Sequence, residues 1–88
     1  MLDRHAPDLV FVVSPWQYHV QHALQCVERG CHVALEIKGG LYVDEYLPLM
    51  ESADRHGCRV FPLENTLFMR ENLAVSNIVN AGLLGEIV

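Results

Sequence analysis

Short unbroken apolar runs alternate along the chain with longer segments in which apolar residues return every three or four positions, the pattern of buried strands alternating with amphipathic helices. The runs are Asp8 to Val13, apolar throughout from Leu9, then His32 to Ile37 and Arg59 to Leu63. None shows the alternating polarity of a half-exposed strand, so both faces of each are expected to be buried, which favours a parallel sheet held between layers. The first predicted helix runs from about Trp16 to Glu28, with Tyr18, Val20, Ala23, Leu24 and Val27 as its apolar stripe and Gly30 past its end. The second carries Val43, Tyr46, Leu47, Met50 and Ala53 at helical spacing. Asp44 is its expected cap, Gly57 its stop, and Pro48 falls near its first turn, where a missing N–H costs least. The third spans roughly Met69 to Ala81, with Leu73, Ala74, Ile78 and Ala81 on one side and Gly82 and Gly85 closing it. The expected class is α/β, with three parallel strands alternating with three helices.

Parallel crossovers are right-handed in about 98% of cases. If the strands lie side by side in chain order, every crossover helix covers the same face. The opposite face, apolar in sequence, is then bare, and the first strand is an unpaired edge. A preceding half-domain or another subunit is expected to cover that surface, and Glu86-Ile87-Val88 reads as a further strand beginning.

Composition narrows the partners. With 88 residues the chain is one small domain or part of one, since domains usually run to about 100–150 residues. Hydrophobic residues at 51% and charged residues at 19% exclude a disordered chain. Six Lys plus Arg against 11 Asp plus Glu, a formal charge of -5, argue against nucleic acid, which needs a basic stripe. The uncharged stretch from Leu9 to Val27 contains Ser14, Gln17, His19, Gln21, His22 and Gln25, too polar for a membrane span. Asp3 precedes any apolar run, unlike the basic start of a secretory signal, so a cytoplasmic location is expected. Cys26, Cys31 and Cys58 fit free thiols in a reducing compartment.

In open parallel sheets ligands bind beyond the carboxyl ends of the strands. The exits here are Ser14-Pro15-Trp16-Gln17, Glu36-Ile37-Lys38-Gly39-Gly40 and Glu64-Asn65-Thr66, which would bring two carboxylates, a lysine and an amide to one rim. The plainer reading makes Ser14 and Asn65 helix caps and Glu36 with Lys38 a solvated pair; position at three consecutive strand ends favours a site. There is neither a G-x-G-x-x-G nor a P-loop, so a pyrophosphate clamp would have to come from elsewhere. His19, His22 and Cys26 share one helix face, but five His and three Cys in so short a chain align readily by chance, and no metal is expected. Ser14 with His19 lacks the G-x-S-x-G elbow of a nucleophile.

Pro7-Asp8-Leu9-Val10 through Ser14-Pro15 and His19, then Gly30-Cys31-His32-Val33 with Glu36, then Gly82-Leu83-Leu84-Gly85-Glu86-Ile87, follow in the order and spacing of a known family. The chain resembles the Gfo/Idh/MocA oxidoreductases, with their Thr-Pro turn and following His, their G-K-H-V-x-x-E-K-P and their G-x-x-G-x-I. The resemblance implies a partial Rossmann fold: residues 1–85 as the second half of an NAD(P)-binding domain and 86–88 as the start of a substrate-binding domain. It implies NAD or NADP as cofactor, a sugar or polyol as substrate, and a homo-oligomer or pairing with the missing half. Ser14, Pro15, Trp16 and His19 become cofactor-side candidates, with Trp16 where an Asn is common. Glu36 becomes the ribose ligand, Asn65 a residue of the active-site rim, and Lys38 the catalytic candidate. Ile37 departs from the pattern, because it occupies the family's lysine position and puts Lys38 at its proline. A one-residue shift along a strand reverses a side chain, and a bulge at Gly39-Gly40 is needed to re-aim Lys38. Glu36 followed by an aliphatic residue, together with Leu63-Glu64-Asn65, Phe68 and Arg70-Glu71-Asn72-Leu73-Ala74-Val75, is also similar to the NAD-dependent glycosidases of this superfamily, which oxidise the sugar transiently. A non-catalytic α/β accessory module is the third reading.

Overall fold

The computed structural model describes residues 2–37 and 39–88; Lys38, the expected catalytic lysine, lies outside the described residues. The elements run α1 (Leu2–His5), β1 (Leu9–Val12), a 3-10 turn (Trp16–Tyr18), α2 (His19–Val27), β2 (His32–Glu36), α3 (Val43–His56), β3 (Val60–Leu63) and α4 (Arg70–Asn80). The strands form where branched and aromatic residues run together, and each lies inside its expected span. The first predicted helix is divided, its opening turn tightened to 3-10 geometry. Helix α1 had no periodic signal; Leu2 packs on the core and Asp3 Oδ1 accepts a hydrogen bond from Arg29 Nε at 2.9 Å, tying this turn to the chain just beyond α2.

The sheet is parallel in the order β1-β2-β3, with Val10 opposite Val33, Phe11 opposite Ala34 and, on the other side, Ala34 opposite Phe61. Side chains alternate across the pleat, so one face carries Val12, Val33 and Leu35, and the other carries Phe11, Ala34 and Phe61. The first face is buried with Ala23, Cys26, Val27, Cys31, Leu49, Ala53 and Cys58 into one core, roofed by α2 and α3. The second is open: Phe11 is 62% and Phe61 54% exposed. The expectation that both strand faces are buried therefore holds for one face only. Two crossovers of the same hand put both helices on one side, the consequence drawn above from strand order.

Helix α3 buries Leu49, Ser52 and Ala53, not the expected stripe, of which only Ala53 is buried. The contact with α2 selects the Leu49–Ala53 side. Val43 and Leu47 are left in solvent, while Tyr46 and Met50 overhang β2 and β3 beside a 220 Å³ cavity lined also by Leu35, Ile37 and Pro62. Asp44 is not the cap. Tyr42 holds that position, and Glu45 Oε2 accepts the N–H groups of Leu41 and Tyr42 at 2.9 and 3.3 Å. Pro48 lies inside the helix, past the first turn, so it forgoes one intrahelical bond. Gly57 ends α3 at φ 65°, where only glycine sits without strain. In α2 the buried residues are His19, Ala23, Cys26 and Val27; of the expected stripe, Val20 and Leu24 pack on the core while only partly buried, and Tyr18 stays exposed on the 3-10 turn. Helix α4 buries nothing, and its expected stripe of Leu73, Ala74 and Ile78 faces solvent. The Cα radius of gyration, 16.3 Å, exceeds the about 12 Å of a compact chain this long, as a projecting α4 requires. Among the described residues no helix is long and apolar enough to cross a membrane.

The cysteines Cys26, Cys31 and Cys58 are free and buried. Burial, and then the neighbouring Cys31, push the Cys26 thiol above its ordinary value, against an opposing pull from Arg29. A raised native value means that stability is complete below the unfolded thiol's pKa of about 8.5 and declines as pH rises through the higher native one. Iodoacetamide at pH 8 should therefore label Cys26 far more slowly in the folded protein than in urea. Equal labelling rates, read by peptide mass spectrometry, would contradict this packing.

Candidate active site at the strand ends

The three carboxyl ends open on one side. Beyond β1 the chain turns through Ser14 and Pro15 into the 3-10 turn, with Tyr18 N–H donating to the Pro15 carbonyl at 2.9 Å. The Ser14 carbonyl accepts a hydrogen bond from His19 Nε2, and its hydroxyl shares one with His22 Nδ1 at 2.9 Å. Ser14 caps no helix, because Pro15 precedes the 3-10 turn and makes no side-chain cap bond. Nor does Asn65, since α4 begins after Met69. The helix-cap reading of these two residues is thus excluded.

At the end of β2, Glu36 Oε2 stands 3.7 Å from His19 Nε2, with the Glu36 side chain 47% exposed and that of His19 wholly buried. The buried imidazole of His19 thus lies between Glu36 and the Ser14 turn. At the end of β3, Glu64 Oε1 accepts Thr66 N–H at 2.9 Å and Thr66 Oγ1–H at 2.7 Å, and these bonds hold the Glu64 carboxyl below its ordinary value. Glu64 therefore stays an anion and an acceptor near neutrality. The Thr66 carbonyl takes Asn72 Nδ2–H at 2.7 Å and Met69 N–H at 3.0 Å, which fixes the turn leading into α4.

A cleft of 360 Å³ lies between these exits, lined by Val13, Glu36, Ile37, Leu63, Glu64 and Asn65. The structure thus brings Glu36 and Asn65 together. Ser14, by contrast, lines a separate groove along the β1 edge, and Trp16 stands 55% exposed on the 3-10 turn. His19, His22 and Cys26 part company: the first turns to Glu36, the second to the Ser14 hydroxyl, the third into the core. The apolar lining residues Val13, Ile37 and Leu63 are not among the site candidates of the sequence, where Ile37 stands out only for departing from the family pattern. Their signal was available, because Val13 and Leu63 continue the alternation of Phe11 and Phe61 to the strand ends.

The segment after β2 passes close over α3. A Cβ on Gly39 would lie 2.6 Å from the Tyr46 hydroxyl and 2.9 Å from Leu35 Cδ2, and one on Gly40 would lie 2.7 Å from Val20 Cγ2. Leu35 is a packed core residue with little room to retreat. Gly39→Ala is expected to lower stability by about 1–3 kcal/mol through overpacking, measured as a shift in the urea midpoint. An unshifted midpoint would mean that this approach is loose.

A consecutive parallel sheet with helices on one face and polar exits on one rim defines a partial Rossmann arrangement, the nucleotide-binding type of α/β fold. The chain belongs to the Gfo/Idh/MocA oxidoreductase family, described as an oxidoreductase family with an NAD-binding Rossmann fold, whose family model matches residues 1–63. It is 33% identical over 88 residues to an alpha-N-acetylgalactosaminidase of Shewanella oneidensis, covering 100% of this chain and 19% of that protein. Among solved structures it resembles the WlbA dehydrogenase of Chromobacterium violaceum in complex with NADH and UDP-GlcNAcA, with TM-score 0.90 and 20% identity over 97% of this chain and 25% of the other. It also resembles myo-inositol 2-dehydrogenase of Lactobacillus plantarum, with TM-score 0.85 and 21% identity over 100% of this chain and 26% of that one. The chain therefore spans about a fifth of the length of the curated relative it matches.

Proposed function

We propose that this chain is the second half of an NAD(P)-binding Rossmann domain in an oxidoreductase that moves a hydride between the nicotinamide and a sugar or polyol. Residues 1–85 form that half and 86–88 open the substrate-binding domain. The observation that carries the reading is the single cleft shared by Glu36, Asn65 and the apolar ends of all three strands.

The lining fits the ribose and nicotinamide end of the cofactor. Carboxylates and an amide accept and donate to hydroxyls, and Val13, Ile37 and Leu63 offer a surface for a flat ring. It does not fit the pyrophosphate, because among the described residues of the cleft there is no Lys or Arg and there are two Glu. The cofactor, when bound, accepts or returns the hydride. Glu36 holds the ribose hydroxyls, Asn65 stands on the cofactor side of the active-site rim, Lys38 is the candidate for the reacting hydroxyl, and Ser14, Pro15, Trp16 and His19 belong to the cofactor side. A homo-oligomer or the missing half covers the bare sheet face, in a cytoplasmic protein.

A second reading, a glycosidase that oxidises its sugar transiently, is supported by the identity to the alpha-N-acetylgalactosaminidase and by Ile37 in place of the family lysine. Titration of the full-length protein with NADH, followed by Trp16 quenching, should saturate at micromolar cofactor; a flat trace would remove the cofactor reading. Supplying NAD with a polyol, and separately with a nitrophenyl N-acetylgalactosaminide, divides the two chemistries. The dehydrogenase accumulates reduced cofactor, whereas the glycosidase releases nitrophenol with no net reduction.

A further inference from the structure

We propose that His19 is a positioning residue that aims the Glu36 carboxylate at the cofactor ribose by locking the Ser14–Pro15 turn to the end of β2; this rests on the cofactor reading above. His19 and Ser52 are the buried polar side chains among the described residues, and a polar side chain placed in a core requires partners. Its Nε2 bonds to the Ser14 carbonyl, and because a carbonyl only accepts, that nitrogen carries the proton. The same nitrogen stands 3.7 Å from Glu36 Oε2, longer than a hydrogen bond but near enough for its positive end to attract that carboxylate oxygen. The exposed remainder of Glu36 is thereby left toward the cleft it lines.

Three elements are joined through one ring: the β1 exit, the first turn of α2 and the last residue of β2. One turn further along α2, His22 holds the Ser14 hydroxyl at 2.9 Å and stacks on Tyr18 with centroids 5.8 Å apart, so the turn that His19 grips is itself braced. A glutamate on an exposed rim otherwise samples several rotamers. A donor held beneath one oxygen narrows that freedom before the ribose arrives, which is how preorganisation raises affinity without a new contact to ligand.

The test uses the full-length protein and a cycle with Glu36→Gln. His19→Leu, of similar bulk but without a donor, is expected to weaken NADH binding about 10-fold, and His19→Gln, which keeps an N–H, to restore most of it. In the double variant His19→Leu with Glu36→Gln, binding should be no weaker than in Glu36→Gln alone. Unchanged affinity in His19→Leu, or losses that multiply in the double variant, would overturn the proposal. If His19→Leu does not fold, His19→Met, which also lacks a donor, gives the decision in the same cycle. Without cofactor, ¹⁵N-edited imidazole spectra should show His19 as the Nε2–H tautomer and move on Glu36→Gln; an unmoved resonance overturns the coupling. Should the wild-type protein bind no NADH, the proposed function fails and that spectrum alone decides whether His19 and Glu36 are linked.

Discussion

Replacing Leu49 by alanine is expected to remove about 2–5 kcal/mol of stability, while the same change at Leu47 removes less than about 0.5 kcal/mol. Both leucines lie in α3, and hydrophobic periodicity alone favours the opposite outcome, since Leu47 belongs to the regular stripe. In the structure Leu49 has no exposed surface and sits in the core with Val27, Val33 and Leu35, whereas Leu47 is largely in solvent. Truncating Leu49 leaves a cavity that the helices close only in part, so the lost transfer energy and the lost contacts add. Denaturant melts of the two variants, with unchanged slopes, measure the difference. Equal midpoints would mean that α3 is rotated relative to the arrangement described here.

Glu36→Ala in the full-length protein is expected to weaken NAD(H) binding by about 10–100-fold, the size of a lost hydrogen bond to a charged acceptor, while the fold persists. The carboxylate is half exposed at the end of β2, so its removal opens no core cavity. The effect should appear in the dissociation constant, read by calorimetry or fluorescence. A constant equal to that of the wild type would remove Glu36 from the cofactor site and leave it as a partner of His19 alone. At Glu64, whose carboxyl is held low by Thr66, the acceptor character persists to more acidic pH than for an ordinary glutamate, so binding that depends on it should fall only below that ordinary range.

The strands and the rim were readable from residue types because both depend on short-range rules. Leu9 to Val12, His32 to Glu36 and Val60 to Leu63 follow from short unbroken runs of branched and aromatic residues. Glu36 and Asn65 fall together because parallel strands end at the same edge. The family resemblance makes His19 a cofactor-side residue; nothing in its sequence position says that its ring points inward, because that depends on the Ser14 carbonyl and on Glu36 of the next strand.

Sequence by itself determined the alternation of strands and helices, the parallel sheet and the family. These are consequences of local patterning and chain connectivity. Tertiary structure alone decided which side of α3 is buried, that His19 is sealed beneath Glu36, and that Gly39 and Gly40 leave no room for a side chain. Each of those is a contact between residues distant in the chain, and a helix with apolar residues on more than one side acquires its buried face only when a neighbour is packed against it.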